Sequence, residues 1–258
     1  MFLKNEVAHW RYLVPGSHGG LTMNVIERVL GSIDGGSVLD VATHQGGFTR
    51  LLMEHLRSYT TILGVDTNER AIETAQRTNE KEGVRFQVMD AARLEFEDRC
   101  FDTACISASL HHLQNPPLVL QEMTRVLKPD GHFVLVEMHC DGQTEAQLTF
   151  VYLHHWLAEV DSALGILHHH TLARQDFVDY VAGLGLSAIE LYDHVDHDTD
   201  PMDPDRIGLL DDLIERTVKR AEGTSDCRAL IERGEALRQR LYEVGAQSEP
   251  VLLVLGTK

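Results

Sequence analysis

Residues 38–47 read Val-Leu-Asp-Val-Ala-Thr-His-Gln-Gly-Gly, and this stretch decides the fold class. The run Ser37–Val41 at its start is short, apolar and β-branched, so it predicts a buried strand. The small residues that follow predict a loop whose backbone a ligand can approach closely. Apolar residues with helical spacing come next, over Phe48–Arg57. A strand, a loop of this kind and a helix in this order are typical of the ligand-binding edge of an open α/β sheet.

The alternation of strands and helices continues along the chain. Strands are predicted at Ser37–Val41, Thr61–Asp66, Val84–Met89, Phe101–Ser107, His132–Met138, Ala188–Tyr192 and Pro250–Leu255. Helices are predicted over Phe48–Arg57, Asn68–Glu82 and Pro116–Leu127, and a turn is predicted at Lys128–Gly131. This order predicts an α/β fold of the doubly wound type, with a parallel sheet covered by helices on both faces.

Charge and cysteine usage exclude several classes of protein. The formal net charge is −17, which repels nucleic acids and anionic lipid surfaces. No apolar run approaches the roughly 18 residues that a membrane helix needs, and Met1–Arg11 lacks the apolar segment of a secretory signal. Four scattered cysteines without a CxxC pair are typical of reduced thiols. We therefore predict a cytoplasmic protein with neither nucleic-acid nor membrane partners.

Carboxylates stand at the ends of three successive predicted strands. Asp66 is placed to accept hydrogen bonds from both hydroxyls of a ribose, and Asp90 from an adenine amino group. Together with Asp40 they suit a nucleoside that carries little or no phosphate, because three carboxylates would repel a pyrophosphate.

With these features the chain resembles the class I S-adenosylmethionine-dependent methyltransferases over residues 36–139. The matching parts are the nucleotide loop Val38–Gly47, the strand end Gly64–Asp66, the pair Asp90-Ala91, and the downstream segments Phe101-Asp102, Leu110–Leu113 and Glu122–Gly131. Within that family the chain is most similar to small-molecule enzymes of the ubiquinone and menaquinone type. The resemblance implies a Rossmann-like, mostly parallel, seven-stranded sheet. It also implies methyl transfer from S-adenosylmethionine to a small-molecule acceptor by in-line displacement.

The resemblance also implies a division of the chain. We predict one methyltransferase domain over residues 1–258, with a cofactor-binding core at 36–139. A helical lid insertion at 143–182 is expected to cover the acceptor pocket. A second helical insertion at 204–244, capped by Asp203 with Pro204 at its first position, precedes the last strand. This second insertion would form either a homodimer surface or a further cover of the substrate.

The family's cofactor roles carry over to eight residues of this sequence. The backbone of three loop residues is expected to line the methionine end of the cofactor, and Ser107 to touch its amine or the reacting methyl region. The loop residues are Ala42, His44 and Gly46. Asp66 would hold the ribose hydroxyls, with Thr67 beside the adenine. Asp90 and the backbone of Ala91 would read the adenine edge. Asp40 would support the loop or reach the amine through water.

His44 departs from the family, because its position and that of Ala42 normally hold glycine. A histidine tolerates the positive φ expected there better than most residues do. Its ring would turn outward and fill the loop, contact the cofactor carboxylate, or impair cofactor binding. The last possibility favours an alternative function, in which the protein binds S-adenosylmethionine or S-adenosylhomocysteine without methyl transfer. A nicotinamide oxidoreductase is disfavoured, since the G-x-G-x-x-G fingerprint is absent.

The catalytic residues are not identified by the sequence, although His111, Glu137 and His154 are candidates for a general base. Each has a purely structural interpretation: loop packing for His111, a hydrogen-bonded strand end for Glu137, and the border of a helix core for His154. No metal ligand is assigned. The tract His168–His170 and the acidic run Asp193–Asp200 contain ligand types, but a polar loop and a solvated loop explain them better.

Overall fold

The computed structural model describes residues 25–195 and 199–258. Its centre is a seven-stranded sheet with the strand order β3-β2-β1-β4-β5-β7-β6. Strands β1 to β5 are parallel, and β7 runs antiparallel to both β5 and β6. The strands are β1 (Ser37–Val41), β2 (Thr61–Asp66), β3 (Val84–Val88), β4 (Phe101–Ser107), β5 (Leu127–Met138), β6 (Ser187–His194) and β7 (Val251–Thr257). The predicted Rossmann-like, doubly wound and mostly parallel fold is confirmed.

Helices cover both faces of this sheet. On one face, α4 and α6 pack on a core that includes Leu39, Ile106 and Phe133, and on the other face α1 and α2 pack around Val38 and Val134. The helices are α1 (Val25–Leu30), α2 (Gly47–His55), α3 (Glu69–Thr78), α4 (Pro116–Val126), α5 (Glu145–Ala163), α6 (Arg174–Ala182), α7 (Pro204–Ala221) and α8 (Cys227–Val244). None of the helices in the described ranges is both long and apolar enough to cross a bilayer.

The two helical insertions pack against each other. Helices α5, α7 and α8 share a core of their own, built from residues such as Phe150, Leu153 and Ile214. Helix α8 approaches α5 closely because Gly234 faces the ring of Trp156, whose indole N–H donates to the carbonyl of Leu230 at 2.8 Å. The apolar face of residues 204–244 is therefore used inside the chain. A homodimer through this segment stays a prediction and would have to use its outer face.

Several predicted boundaries differ from the structure, and two of the differences have identifiable physical reasons. Strand β5 begins at Leu127, because the backbone around the expected turn pairs with β4, with a register shift between Phe101 and Thr103 and a left-handed Asp130. Helix α3 ends at Thr78, four residues early. The next residue, Asn79, is buried, and its amide donates to the carbonyls of Ala75 and Gln45 instead of facing solvent.

Candidate functional site

The loop between β1 and α2 has an unusual backbone. Ala42, His44 and Gly46 all lie in the left-handed region, with φ values of 53°, 52° and 79°. The loop is closed by two backbone hydrogen bonds, from Thr43 to Val65 and from Gly46 to Thr43. The three family glycine positions thus keep a glycine-like conformation, although only one of them holds glycine.

Gly46 is required in this loop for a second reason. A Cβ atom there would lie 2.5 Å from Nδ2 of Asn79 and 3.2 Å from the ring of Phe86. Asn79 joins the loop to α3, since its Nδ2 donates to the carbonyl of Gln45 at 3.2 Å and its Oδ1 accepts from Arg50 Nε at 3.3 Å. The buried side-chain amide of Asn79 therefore fixes the loop to the end of α3.

Asp40 supports the same loop. Its side chain is buried, and Oδ2 accepts hydrogen bonds from the hydroxyls of Thr43 and Thr49, both at 2.6 Å. These contacts fit the first of the two roles expected for Asp40, which is to support the loop.

Asp66 stands at the end of β2, directly across from the loop. Its Oδ2 accepts the backbone N–H of His44 at 2.8 Å, and its Oδ1 accepts the backbone N–H of Asn68 at 2.9 Å. Each carboxylate oxygen has a second lone pair that remains available to a ligand hydroxyl. Two fixed N–H donors orient this carboxylate before any ligand arrives.

The remaining cofactor candidates continue along the same edge. Asp90 caps the short 3-10 turn Ala91–Arg93, accepting the backbone N–H of Ala92 at 2.9 Å. The carbonyl of Asp66 accepts the N–H of Met89 at 3.0 Å, which holds the ends of β2 and β3 together. Thr67 is exposed, whereas Ala91 is buried.

Ser107 ends β4 on the other side of the nucleotide loop. Its carbonyl accepts the hydroxyl of Ser109 at 2.6 Å, and Ser109 Oγ also lies 3.5 Å from the carbonyl of Ala42. All eight predicted cofactor residues consequently lie at the carboxyl edge of β1 to β4, where their strands end side by side.

The three candidates for a general base meet beside this edge. Glu137, at the end of β5, is 1% exposed, and its Oε1 accepts the backbone N–H groups of Ser109 and Leu110 at 2.6 and 2.9 Å. Its Oε2 lies 3.8 Å from Nδ1 of His111. The ring centroids of His111 and His154 are 4.9 Å apart. Residues from the turn after β4, from β5 and from α5 therefore form one buried cluster.

His168 joins this cluster, although no role was assigned to it from the sequence. Its Nε2 lies 3.1 Å from Nε2 of His154, and its Nδ1 lies 2.7 Å from Oδ2 of Asp161. Asp161 is also paired with Arg220. The sequence signal for a role of His168 was the tract His168–His170. Of its three residues, only His168 is buried. The neighbouring His155 is half-buried, and its Nε2 lies 2.9 Å from Thr171 Oγ1.

Burial shifts the protonation of this cluster. It lowers the pKa of His154 to about 4 and also lowers the pKa of His168. It raises the pKa of Glu249, whose Oε1 is 3.6 Å from His154 Nδ1, to about 8. Burial opposes the charge on Asp161, but hydrogen bonds from His168 and Arg220 outweigh it and lower the pKa of that carboxyl. At neutral pH the cluster therefore contains neutral His154 and protonated Glu249.

The acidic run Asp193–Asp200 begins inside β6. Asp193 is paired with the guanidinium of Arg174 at 2.6 and 2.9 Å. Residues Asp196–Asp198 lie outside the described residues, as does Met1–Arg11.

Comparison with known proteins finds similarity in the central part of the chain. Residues 39–135 match the family described as a methyltransferase domain. The chain is similar to demethylmenaquinone methyltransferase of Staphylococcus aureus (strain MRSA252), with 34% identity over 109 residues, covering 42% of this chain and 45% of that protein. The Staphylococcus epidermidis protein of the same name (strain ATCC 35984) is 32% identical over 136 residues, covering 52% of this chain and 54% of that protein.

The chain thus spans about half the length of the curated relatives that it matches. Among solved structures, an S-adenosylmethionine-dependent methyltransferase from Mesorhizobium loti superposes with a TM-score of 0.54 at 18% identity. The match covers 90% of this chain and 95% of that one. At this identity the structural likeness shows the fold, whereas the family match covers the strands and loops that carry the candidate cofactor site.

Proposed function

We propose that the protein is a class I S-adenosylmethionine-dependent methyltransferase that methylates a small-molecule acceptor, and the match of residues 39–135 to a methyltransferase domain supports this proposal. The observation that carries this proposal is the carboxylate of Asp66, held by the N–H groups of His44 and Asn68 beside a loop with three left-handed residues. This carboxylate fits a ribose, because each of its oxygens keeps a lone pair for a hydroxyl.

The cofactor roles follow the edge of the sheet. In this proposal the backbone of Ala42, His44 and Gly46 lines the methionine end, and Asp66 binds the ribose. The adenine lies beside Thr67 and is read by Asp90 and the backbone of Ala91. Ser107 lies next to the reacting methyl group.

Positioning supplies much of the rate in such a reaction. When bound, S-adenosylmethionine supplies a methyl group on a positively charged sulfur, so the acceptor has only to be held in line and away from water. The acceptor atom forms a bond to the methyl carbon, the carbon–sulfur bond breaks, and its electron pair stays on the sulfur. A base is needed only if the acceptor carries a proton.

The buried cluster beside the cofactor edge ranks the candidates for that base. His154 is a poor proton acceptor at neutral pH, since burial lowers its pKa to about 4. Glu137 already accepts two backbone N–H groups, which suits a positioning role. His111, which lies between them in the turn after β4, is the candidate that we favour.

The acceptor pocket is assigned to the side covered by α5 and the loop that follows it. The names of the curated relatives suggest a quinone precursor, but the family match ends at residue 135, before this cover begins. We therefore propose a small organic acceptor without naming it. The four free cysteines and the net charge of −17 support a cytoplasmic setting without nucleic acid.

Calorimetric titration with S-adenosylmethionine tests the proposal. Wild-type protein should bind the cofactor, and Asp66→Ala should weaken binding at least about tenfold, or about 1.4 kcal/mol. Asp212→Ala, at an exposed site on α7, is the matched control and should bind like wild type. Absence of binding by folded wild-type protein between pH 6 and 8 would overturn the proposal.

A second function is favoured by one observation, the left-handed histidine at a glycine position. Its side chain stands where the family has none, so the protein would bind S-adenosylmethionine or S-adenosylhomocysteine without turnover. Incubation with labelled cofactor and a panel of thiol, phenol and amine acceptors separates the two functions. Tight binding with no labelled product from any acceptor would favour the binding module.

A further inference from the structure

We propose that His111, His112 and His168 bind a first-row transition-metal ion of the Zn²⁺ type. One ring nitrogen of each residue lies within 4.8 Å of the others. In a tetrahedral site, nitrogens at about 2.1 Å from one ion lie about 3.4 Å apart, so the rings would have to close by at most about 1.4 Å. The ring centroids of His112 and His168 are already 4.2 Å apart.

The histidines come from two distant segments that the backbone holds together. His111 and His112 lie in the 3-10 turn Leu110–His112 after β4, and His168 lies in the loop between α5 and α6. The backbone N–H of His169 donates to the carbonyl of His111 at 2.8 Å, which fixes the loop against the turn. The arrangement is thus part of the fold and does not depend on side-chain rotamers alone.

His168 has the partner that metal-binding histidines usually have. Its Nδ1–H donates to the carboxylate of Asp161 at 2.7 Å, and Asp161 is itself paired with Arg220. A carboxylate accepts hydrogen bonds only, so this contact places the proton on Nδ1 and the lone pair on Nε2. A carboxylate bonded to the outer nitrogen of a histidine orients the ring and makes the other nitrogen a better ligand.

His154 points toward the same place from α5. Its Nε2 lies 3.1 Å from Nε2 of His168, so in the metal-free protein it donates a proton to the lone pair that the ion would take. An ion therefore competes with His154 for His168, and removal of His154 should not weaken metal binding. Imidazole nitrogens suit zinc, copper, iron or nickel, whereas magnesium and calcium prefer oxygen ligands.

The use of the ion rests on the proposed function. Three protein ligands leave a coordination position open. The turn that carries two of them begins next to Ser109, whose hydroxyl lies 3.5 Å from the nucleotide loop at Ala42. With the ion bound, His111 would be a ligand and not the base. An acceptor thiol on the open position would lose its proton to solvent, and its sulfur would bond to the methyl carbon as the methyl–sulfonium bond breaks, with the electron pair leaving on S-adenosylhomocysteine.

Metal titration of the full chain tests the site. Protein stripped with a chelator is titrated with Zn²⁺ against a chromophoric chelator, and with Co²⁺ while the visible absorption is recorded. We expect about one ion per chain and cobalt bands of a low-coordinate nitrogen site. His168→Ala and His111→Ala should each weaken binding more than about 100-fold, and Asp161→Asn about 10- to 100-fold.

The controls separate the site from its neighbours and from folding. His170→Ala, in the exposed part of the same tract, should bind like wild type. Circular dichroism of each metal-free variant identifies loss of fold, and His168→Gln replaces His168→Ala if the latter unfolds. Fewer than about 0.2 ions per wild-type chain, or equal binding by the folded His168 variant, would overturn the proposal.

Cofactor titration in the metal-free and metal-loaded states separates this proposal from the preceding one. Binding of S-adenosylmethionine without specific metal binding leaves the methyltransferase proposal standing and refutes the metal site. Specific metal binding without binding of S-adenosylmethionine leaves the metal site standing and refutes the methyltransferase proposal.

Discussion

The Oδ2 atom of Asp66 accepts the backbone N–H of His44 at 2.8 Å, which links the end of one strand to the loop that follows its neighbour. The bond is made by the backbone of His44 in a left-handed conformation, with φ at 52°. A β-branched residue is strongly disfavoured there. The residue at position 44 therefore acts on the orientation of Asp66 through its backbone, whatever its ring contacts.

His44→Val should weaken both stability and cofactor binding. Forcing valine into the left-handed region costs about 1–2 kcal/mol and shifts the N–H that orients Asp66. Gln45→Val is the matched control, because the φ of Gln45 is not positive. Urea unfolding and calorimetry with S-adenosylmethionine measure the two effects. Equal behaviour of the two variants would contradict the role assigned to the backbone of His44.

Gly46→Ala should destabilise the protein, whereas Gly47→Ala should not. The added methyl at position 46 would lie 2.5 Å from Asn79 Nδ2 on a backbone with φ at 79°, and nothing lies within 4 Å of the position at residue 47. We expect a loss of about 2 kcal/mol or more in the free energy of unfolding for Gly46→Ala. Gly47→Ala should be neutral or slightly stabilising at the start of α2.

Urea unfolding of the two glycine variants side by side measures this difference. If both lose the same stability, the contact between Gly46 and Asn79 does not constrain the loop.

Strands bounded by turn residues could be predicted from the sequence to the residue. The bounds of β1, β2 and β4 agree with prediction, because each is a short, mainly apolar run with polar residues or turn residues beyond its ends. The start of β5 could not be predicted, since Pro129 and Gly131 indicate a turn and only pairing with β4 reveals a strand. The end of α3 depended on a tertiary contact of Asn79.

Some residues of the candidate site could likewise be placed from the sequence, and others could not. Cofactor candidates such as Asp66 and Asp90 could be placed because parallel strands end at one edge of the sheet. His168 could not be placed beside His111, because the hydrogen bond from His169 that brings their segments together joins distant parts of the chain. Adjacency in a histidine tract carries no information about that pairing.

Glu249→Gln should become more stable relative to wild type as the pH rises. Burial raises the pKa of Glu249 from 4.5 to about 8, while a backbone hydrogen bond and the nearby His139 oppose the shift. Between these values the folded state holds a proton that the unfolded state has lost. The stabilising contribution of Glu249 is therefore complete below pH 4.5 and is lost as the pH rises to about 8, by up to about 1.4 kcal/mol per pH unit.

The measurement is the difference in free energy of unfolding between variant and wild type at pH 5, 6.5 and 8, in the presence of a chelator. His154, whose pKa is lowered to about 4, contributes the opposite slope between pH 4 and 6.5. It is present in both proteins and largely cancels in the difference. A difference that does not change with pH would show that Glu249 is ionised in the folded protein.

Two substitutions distinguish a structural role of Glu137 from a chemical role. Its Oε1 accepts the N–H groups of Ser109 and Leu110, and its Oε2 faces His111 at 3.8 Å. Glu137→Ala leaves two buried donors unpaired, at about 1–3 kcal/mol each, so we expect a loss of at least about 2 kcal/mol in stability. Glu137→Gln keeps an accepting oxygen and should retain most of the stability while removing the charge beside His111. Urea unfolding and the rate of methyl transfer distinguish the roles. If Glu137→Gln folds and keeps the wild-type rate, Glu137 only positions the turn. A lower rate at wild-type stability would show that its charge acts on the reaction.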